Sequence, residues 1–361
     1  MISNSAIPGR DRDAFGYLRL LFAALVIVSH TPELVDGDRS RELLTMLGST
    51  LSFGSLAVSG FFVISGYLIT GSFLNSKSLA SYFTKRIFRI YPAFAVASLV
   101  CVLIVAPLGG GHFEDGVFSK IGKSIINILI LARPKFDGVF VGQHHLDKYS
   151  ALDGAMWTIQ YEFTCYILIA LIGVTGGLRK PAFIVCIAAL LFGIALVIPT
   201  ETLSLLCHAK LFPGLPQALP NMVGLFFTGA SFYLFRKHIF FSPKWAFVAA
   251  IALVYFIRYE TTASIGFDIL GGYLIFSAAH YASGTRLSYI NDKNDISYGL
   301  YLYAWPIERL MIEYSGTTNL FVIGAGTLFL AAICGWASWT LIERPALQWA
   351  HRPGKRVSKQ P

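Results

Sequence analysis

YLRLLFAALVIVSH, residues 17–30, decides the fold, because no charged residue lies between Arg19 and His30 and almost nothing there is polar. At about 100° and 1.5 Å per residue, eleven helical steps bring His30 to within about 20° of Arg19 and roughly 16 Å further along. The stretch therefore reads as an apolar helix with one ionisable group at each end of a single stripe. The polar segment MISNSAIPGRDRDAFGY precedes it with no small-residue cleavage site, so it is expected to be a retained span and not a signal peptide.

The rest of the chain repeats this character. Of 361 residues, 55% are hydrophobic and 14% charged, and the mean hydropathy is +0.61. A soluble chain carries closer to a quarter charged residues, about 25%. Runs long enough to cross about 30 Å of hydrocarbon fall near 15–33, 51–74, 87–108, 155–176, 181–199, 219–235, 244–260, 263–282, 297–314 and 319–342. The fold class read from this is all-α: a polytopic integral membrane protein of about ten transmembrane helices. INILILA, 126–132, is too short to cross and is expected to be re-entrant or interfacial. One membrane domain, 1–345, is followed by a basic tail, 346–361.

Basic residues order these spans. With a cytoplasmic N-terminus, the inner connectors hold Arg10 and Arg12, Lys77, Lys85 and Arg86, Arg179 and Lys180, Arg236 and Lys237, and Arg286 and Lys293. The first outer connector, TPELVDGDRSRE, is acidic. This is the positive-inside pattern, and it predicts both termini in the cytoplasm. The net charge of +9 is then a topological signal plus a tail facing anionic membrane lipid, and needs no nucleic acid. Five cysteines, four of them in expected spans, form no disulfide or zinc pattern.

Ionisable groups inside spans carry the chemistry, since each costs about 2.5–3.5 kcal/mol to insert. Those that stand out are His30, Glu162, Glu308 and Arg309, with Arg19, Arg86 and Arg89 at inner ends. KRIFRIYP, 85–92, places Arg86 and Arg89 on one helix face. Arginine forks suit phosphate. Coenzyme A carries phosphates at one end and a thioester at the other, separated by an arm comparable with the roughly 16 Å from Arg19 to His30. The expected donor is therefore acyl-coenzyme A, most simply acetyl-coenzyme A, as a co-substrate and not a permanently bound cofactor. Its phosphates fall to Arg19, Arg86 and Arg89, and Tyr91 beside them is either a stacking partner for the adenine or an interfacial belt tyrosine. His30 is the expected general base toward a sugar hydroxyl. Glu162, in the outer half of its own span, is expected to meet and orient it.

With these pieces in view, the chain resembles the bacterial membrane acyltransferase-3 family. The resemblance rests on LRLLFAALVIVSH, SGFFVISGYLI (59–69), KRIFRIYPAF (85–94), MWTIQYEFTCY (156–166), ISYGLYLYAWPIE (296–308) and SWTLIERPAL (338–347), in that order. It implies O-acylation of cell-surface or lipid-linked glycans from acyl-coenzyme A. The essential arginine–histidine pair falls on Arg19 and His30, the second arginine pair on Arg86 and Arg89, and the acid of the tryptophan-to-glutamate motif on Glu162. Ala304 stands where family members often have histidine, so that position carries no chemistry here. Some family members append an extracytoplasmic hydrolase-like domain; with only about twenty residues after the last expected span, none is expected in this sequence.

Other features rank lower. Glu308 is expected to pair with a cation on another helix or to line the acceptor path. His144 and His145 with Asp147 lack further ligands at a usual spacing, so no metal is expected. Gly60 and Gly66 suit close helix packing, and Pro92 and Pro306 are expected to kink their helices. The competing class is a lipid-linked saccharide transporter or flippase using His30 and Glu162 as proton-relay groups.

Overall fold

The computed structural model describes residues 14–113, 116–141, 143, 152–198, 202 and 218–350. The described residues are helical, with short turns between helices. The longer helices are α1 (Phe15–Asp36), α2 (Phe53–Leu74), α3 (Leu79–Leu108), α4 (Val117–Leu129), α5 (Trp157–Val174), α6 (Pro181–Val197), α7 (Leu219–Phe235), α8 (Pro243–Phe256), α9 (Glu260–Ala282), α10 (Ser297–Ser315) and α11 (Leu320–Ala350), with a single helical turn at Leu43–Met46.

Six of them, α1, α2, α3, α5, α9 and α11, are long and apolar enough to cross a membrane; α6, α7 and α8 are shorter and apolar. With α10, these helices occupy the ten positions predicted from hydropathy. The eleventh, α4, covers part of the stretch predicted as interfacial. It leaves Phe118, Ile125, Ile126 and Leu129 exposed on one side while burying Ser124. The INILILA run ends it, with Leu131 in the left-handed region (φ 54°). The last helix runs through Ala350, past the expected start of the tail.

Helix ends follow their sequences. Ser52 caps α2 in a reciprocal box with Ser55. Prolines open α6 and α8 at their first positions, where the missing N–H has no partner to lose. Pro92 and Pro306 lie inside α3 and α10, and both helices continue through them.

The core gathers on α1 and α2. The first packs against α2, α10 and α11, and the second against α1, α5 and α7. The α2–α7 contact is the closest. A Cβ added at Gly66 would lie 1.8 Å from the Phe226 carbonyl oxygen, and one at Gly229 would lie 1.9 Å from that of Val63. Two glycines thus let the backbones touch, the usual substitute for a hydrophobic driving force between helices in lipid. By contrast α6 and α8 are peripheral: α8 buries only Ala249 and exposes Phe247, Ile251 and Val254. Apolar side chains facing outward are the expected finish for helices solvated by hydrocarbon.

Candidate active site

Five helices, α1, α2, α3, α5 and α10, enclose a cavity of about 130 Å³. Its wall contains Arg19 from α1, Ser65 from α2, Arg86 and Arg89 from α3, Thr158, Glu162 and Tyr166 from α5, and Tyr298 and Tyr301 from α10. The opposite lining is apolar, from Val58 and Phe61 to Ile69 and Ile90. The chamber thus combines charged and hydroxyl groups with an apolar lining.

The three arginines predicted from sequence do converge here, but on different terms. Asp295, in the turn before α10, accepts bonds from Arg19 Nη2 at 2.8 Å and from Arg89 Nη2 at 2.7 Å. Arg89 Nη1 also reaches Glu343 on α11 at 3.3 Å. Asn291 Nδ2 and Ser297 Oγ donate to the other oxygen of Asp295, at 2.9 and 2.6 Å. Burial pushes the Asp295 carboxyl up, but Arg19 and Arg89 outweigh it and hold the group well below the usual carboxylate range. Arg86 has a lighter set of contacts, Nη2 donating to Ser72 Oγ at 3.3 Å with the guanidinium 5.9 Å from the Tyr166 ring centre.

Glu162 faces this chamber and not His30. Its Oε1 accepts from Ser65 Oγ at 2.9 Å and from the Tyr166 hydroxyl at 2.6 Å. The expected His30–Glu162 contact is therefore corrected. The carboxylate beside the imidazole is Glu33, one helical turn along the same helix, with Oε2 2.9 Å from His30 Nδ1. Arg39, in the connector after α1, donates to the same oxygen through Nη2 at 2.8 Å and through Nε at 3.2 Å. The signal was present as an i, i+3 spacing, but Glu33 read as part of an acidic connector, and α1 runs through it to Asp36.

Tyr91 is a second correction. It is outside the cavity wall; its hydroxyl donates to the Leu129 carbonyl at 3.0 Å and its ring meets Phe163 edge-on. Placed on the α4 side of α3, it holds that helix in position and is turned from any adenine beside Arg86 and Arg89.

The α10 stripe links the two ends. Tyr301 lines the cavity, its hydroxyl bonded to Thr158 at 2.8 Å and its ring 6.0 Å from that of Phe61. Four residues on, Trp305 lies edge-to-face against His30, ring centres 4.8 Å apart. One turn further, buried Glu308 accepts from the Thr31 hydroxyl. Glu308 is thus held by a neutral neighbour of His30 and not by the expected cation. Arg309 turns away, its guanidinium 4.2 Å from the Phe140 ring centre. Ala304 is buried among Ala23, Ile27, Leu300 and Ala331. The His144–His145–Asp147 group lies outside the described residues; among those described, no group of three metal-ligating side chains is present.

A family profile described as "Acyltransferase domain" matches residues 12–340. The chain belongs to the acyltransferase-3 family. It is 28% identical to an O-acetyl transferase of Shigella phage Sf6 over 346 residues, 92% of this chain and 95% of the relative. It is also 28% identical to nodulation protein 10 of Rhizobium leguminosarum bv. viciae over 360 residues, 93% and 94% of the two chains. A shorter match, 29% over 101 residues, joins it to acyltransferase MdmB of Streptomyces mycarofaciens, covering 27% of this chain and 26% of that one. No solved structure matches the chain. This acyltransferase-3 member is a polytopic membrane enzyme that moves an acyl group from a donor to an acceptor.

Proposed function

We propose that this enzyme transfers an acyl group, most simply acetyl, from acyl-coenzyme A to a hydroxyl of a cell-surface or lipid-linked glycan, at the bacterial inner membrane with both termini cytoplasmic. One observation supports it above the others: a chamber with arginines at one end lies on the same helix as a histidine–carboxylate pair about 16 Å further along. The full-length similarity to an O-acetyl transferase favours acetyl and oxygen as the group and the acceptor atom.

In this reading the donor enters from the cytoplasmic face with its phosphates at the arginine end. Glu162, Ser65, Thr158 and Tyr301 offer acceptors and donors to the two amides of the arm, while Val58 and Phe61 pack its methylene and methyl groups. The acyl group lies toward Trp305 and His30. With Glu33 accepting from Nδ1–H, the other imidazole nitrogen, Nε2, is left as the base. The acceptor oxygen attacks the thioester carbonyl carbon; the C–O bond forms, the C–S bond breaks, and the hydroxyl proton passes to His30. The imidazolium, stabilised by Glu33, returns that proton to the departing sulfur, releasing the free thiol.

The test is mass spectrometry of surface glycans from cells with the wild-type chain, without it, and with His30→Ala. Ester-linked acetyl present only with the wild-type chain supports the proposal. Identical glycans in all three strains overturn it.

A further inference from the structure

The three cavity arginines are not equivalent. Arg89 has a carboxylate on each terminal nitrogen, Asp295 at 2.7 Å and Glu343 at 3.3 Å, and its guanidinium stands 5.6 Å from the Tyr298 ring centre. Both acids are themselves buried, 7% and 1% exposed. Both are also held from a second side, Asp295 by Asn291 and Ser297, and Glu343 by Ser338 Oγ at 3.0 Å. Arg19 shares the Asp295 oxygen that binds Arg89. Arg86, three residues from Arg89 on the same helix, has no carboxylate within ion-pair distance among the described residues, and its Nε is buried without a partner.

We infer that Arg89 is a positioning residue and not a donor ligand: with Asp295 and Glu343 it forms a buried lattice tying α3 to α10 and α11 and holding Arg19 at the cavity wall, and Arg86 is the principal anion ligand. The inference rests on the acyl-coenzyme A reading above and divides labour within that site. The physical ground is charge. A phosphate approaching Arg89 meets two carboxylates already seated on it; Asp295 would keep Arg19, but displacing Glu343 leaves a buried anion without its cation, a severe penalty. Arg86 has open donors and no competing acid, so a phosphate gains its fork without displacing anything. The π-turn Trp339–Glu343 at the base of α11 fits this assignment, because it sets the Glu343 side chain toward Arg89 and Ser338.

Purified detergent-solubilised protein tests this with coenzyme A as the binding probe. Arg89→Gln should lower the thermal midpoint, because it strands Glu343. Arg89→Gln with Glu343→Gln removes one charge of each sign and leaves Asp295 its bond to Arg19. It should recover the midpoint and bind coenzyme A within about threefold of wild type. Arg86→Gln should keep the wild-type midpoint and bind at least about tenfold more weakly, the loss expected for a charge-assisted bond. A double variant that is stable yet loses coenzyme A as Arg86→Gln does would overturn the inference, since Arg89 would then touch the donor. If the double variant does not fold, Glu343→Gln alone decides. The lattice predicts unchanged binding, whereas a ligand arginine relieved of its acid would bind coenzyme A about tenfold tighter. Wild-type protein that binds no coenzyme A would remove the donor reading and the ligand role of Arg86 with it; recovery of the midpoint in the double variant still decides the lattice.

Discussion

Replacing Glu33 by glutamine keeps its size and removes its charge, and this substitution probes the histidine end of the site most sharply. Glu33 Oε2 lies 2.9 Å from His30 Nδ1, with the Glu33 side chain 13% exposed. A hydrogen bond to a charged group in such a setting contributes about 1.5–3 kcal/mol. That bond matters most when the imidazole carries the extra proton, in the transition state, so its loss should appear in kcat as about a 10- to 150-fold fall. Arg39, the other partner, is 43% exposed and remains solvated when released, so little stability should go with it. His30→Ala removes the base itself and should cost about 10²–10⁴ in rate. Residues acting as one unit are far from additive, so Glu33→Gln with His30→Ala should turn over no more slowly than His30→Ala. The assay is release of free thiol from acetyl-coenzyme A with purified protein and a soluble saccharide acceptor. A normal kcat in Glu33→Gln, or losses that multiply in the double variant, would refute the pairing. So would a change confined to the KM for the donor.

Glu162→Gln should raise the KM for acyl-coenzyme A and combine independently with His30→Ala, because Glu162 contacts Ser65 and Tyr166 in the chamber and not the imidazole; steady-state kinetics on the double variant check it. Gly66→Ala should destabilise the protein by about 1–3 kcal/mol or more, since its Cβ would fall 1.8 Å from the Phe226 carbonyl oxygen, seen as a lower thermal midpoint in detergent. Asp153 supplies a pH test. Burial pushes its carboxyl up to about 7 against partial relief from the Ala155 and Met156 N–H groups. The folded form therefore holds a proton that the unfolded form has lost, and stability falls as pH rises from the ordinary aspartate range to about 7. Asp153→Asn keeps the acceptor oxygen without the charge, so its stability relative to wild type should rise from pH 5 to pH 8, by at most about 3 kcal/mol. A gap that is constant or shrinking would refute the assignment.

Hydropathy carried the architecture. Each predicted span became a helix because a length of apolar chain that must satisfy its own backbone has few other choices in lipid. The arginine cluster was also legible, from the i, i+3 spacing of Arg86 and Arg89 and the stripe from Arg19 to His30. What the sequence could not supply was which acid meets which base. Glu162 and His30 are both polar interruptions of apolar helices, and depth along a span looked like proximity; the packing of α5 against α2 turns Glu162 to Ser65 instead. Asp295 lies in a polar turn, NDKND, that resembles any solvated connector, and only the convergence of α1, α3 and α10 makes it the partner of two arginines. Tyr91 was assigned by its nearness in sequence to Arg89, but two residues along a helix is a rotation of about 200°, which points it to α4.

The most direct measurement of the central claim uses proteoliposomes containing the purified wild-type chain, with acetyl-coenzyme A labelled in the acetyl group and a saccharide acceptor supplied on opposite faces. Labelled acetyl ester on the saccharide, appearing one for one with free thiol and abolished by His30→Ala, is the predicted result. Saccharide that crosses the bilayer unmodified, or label that reaches it equally well through His30→Ala, would contradict the account.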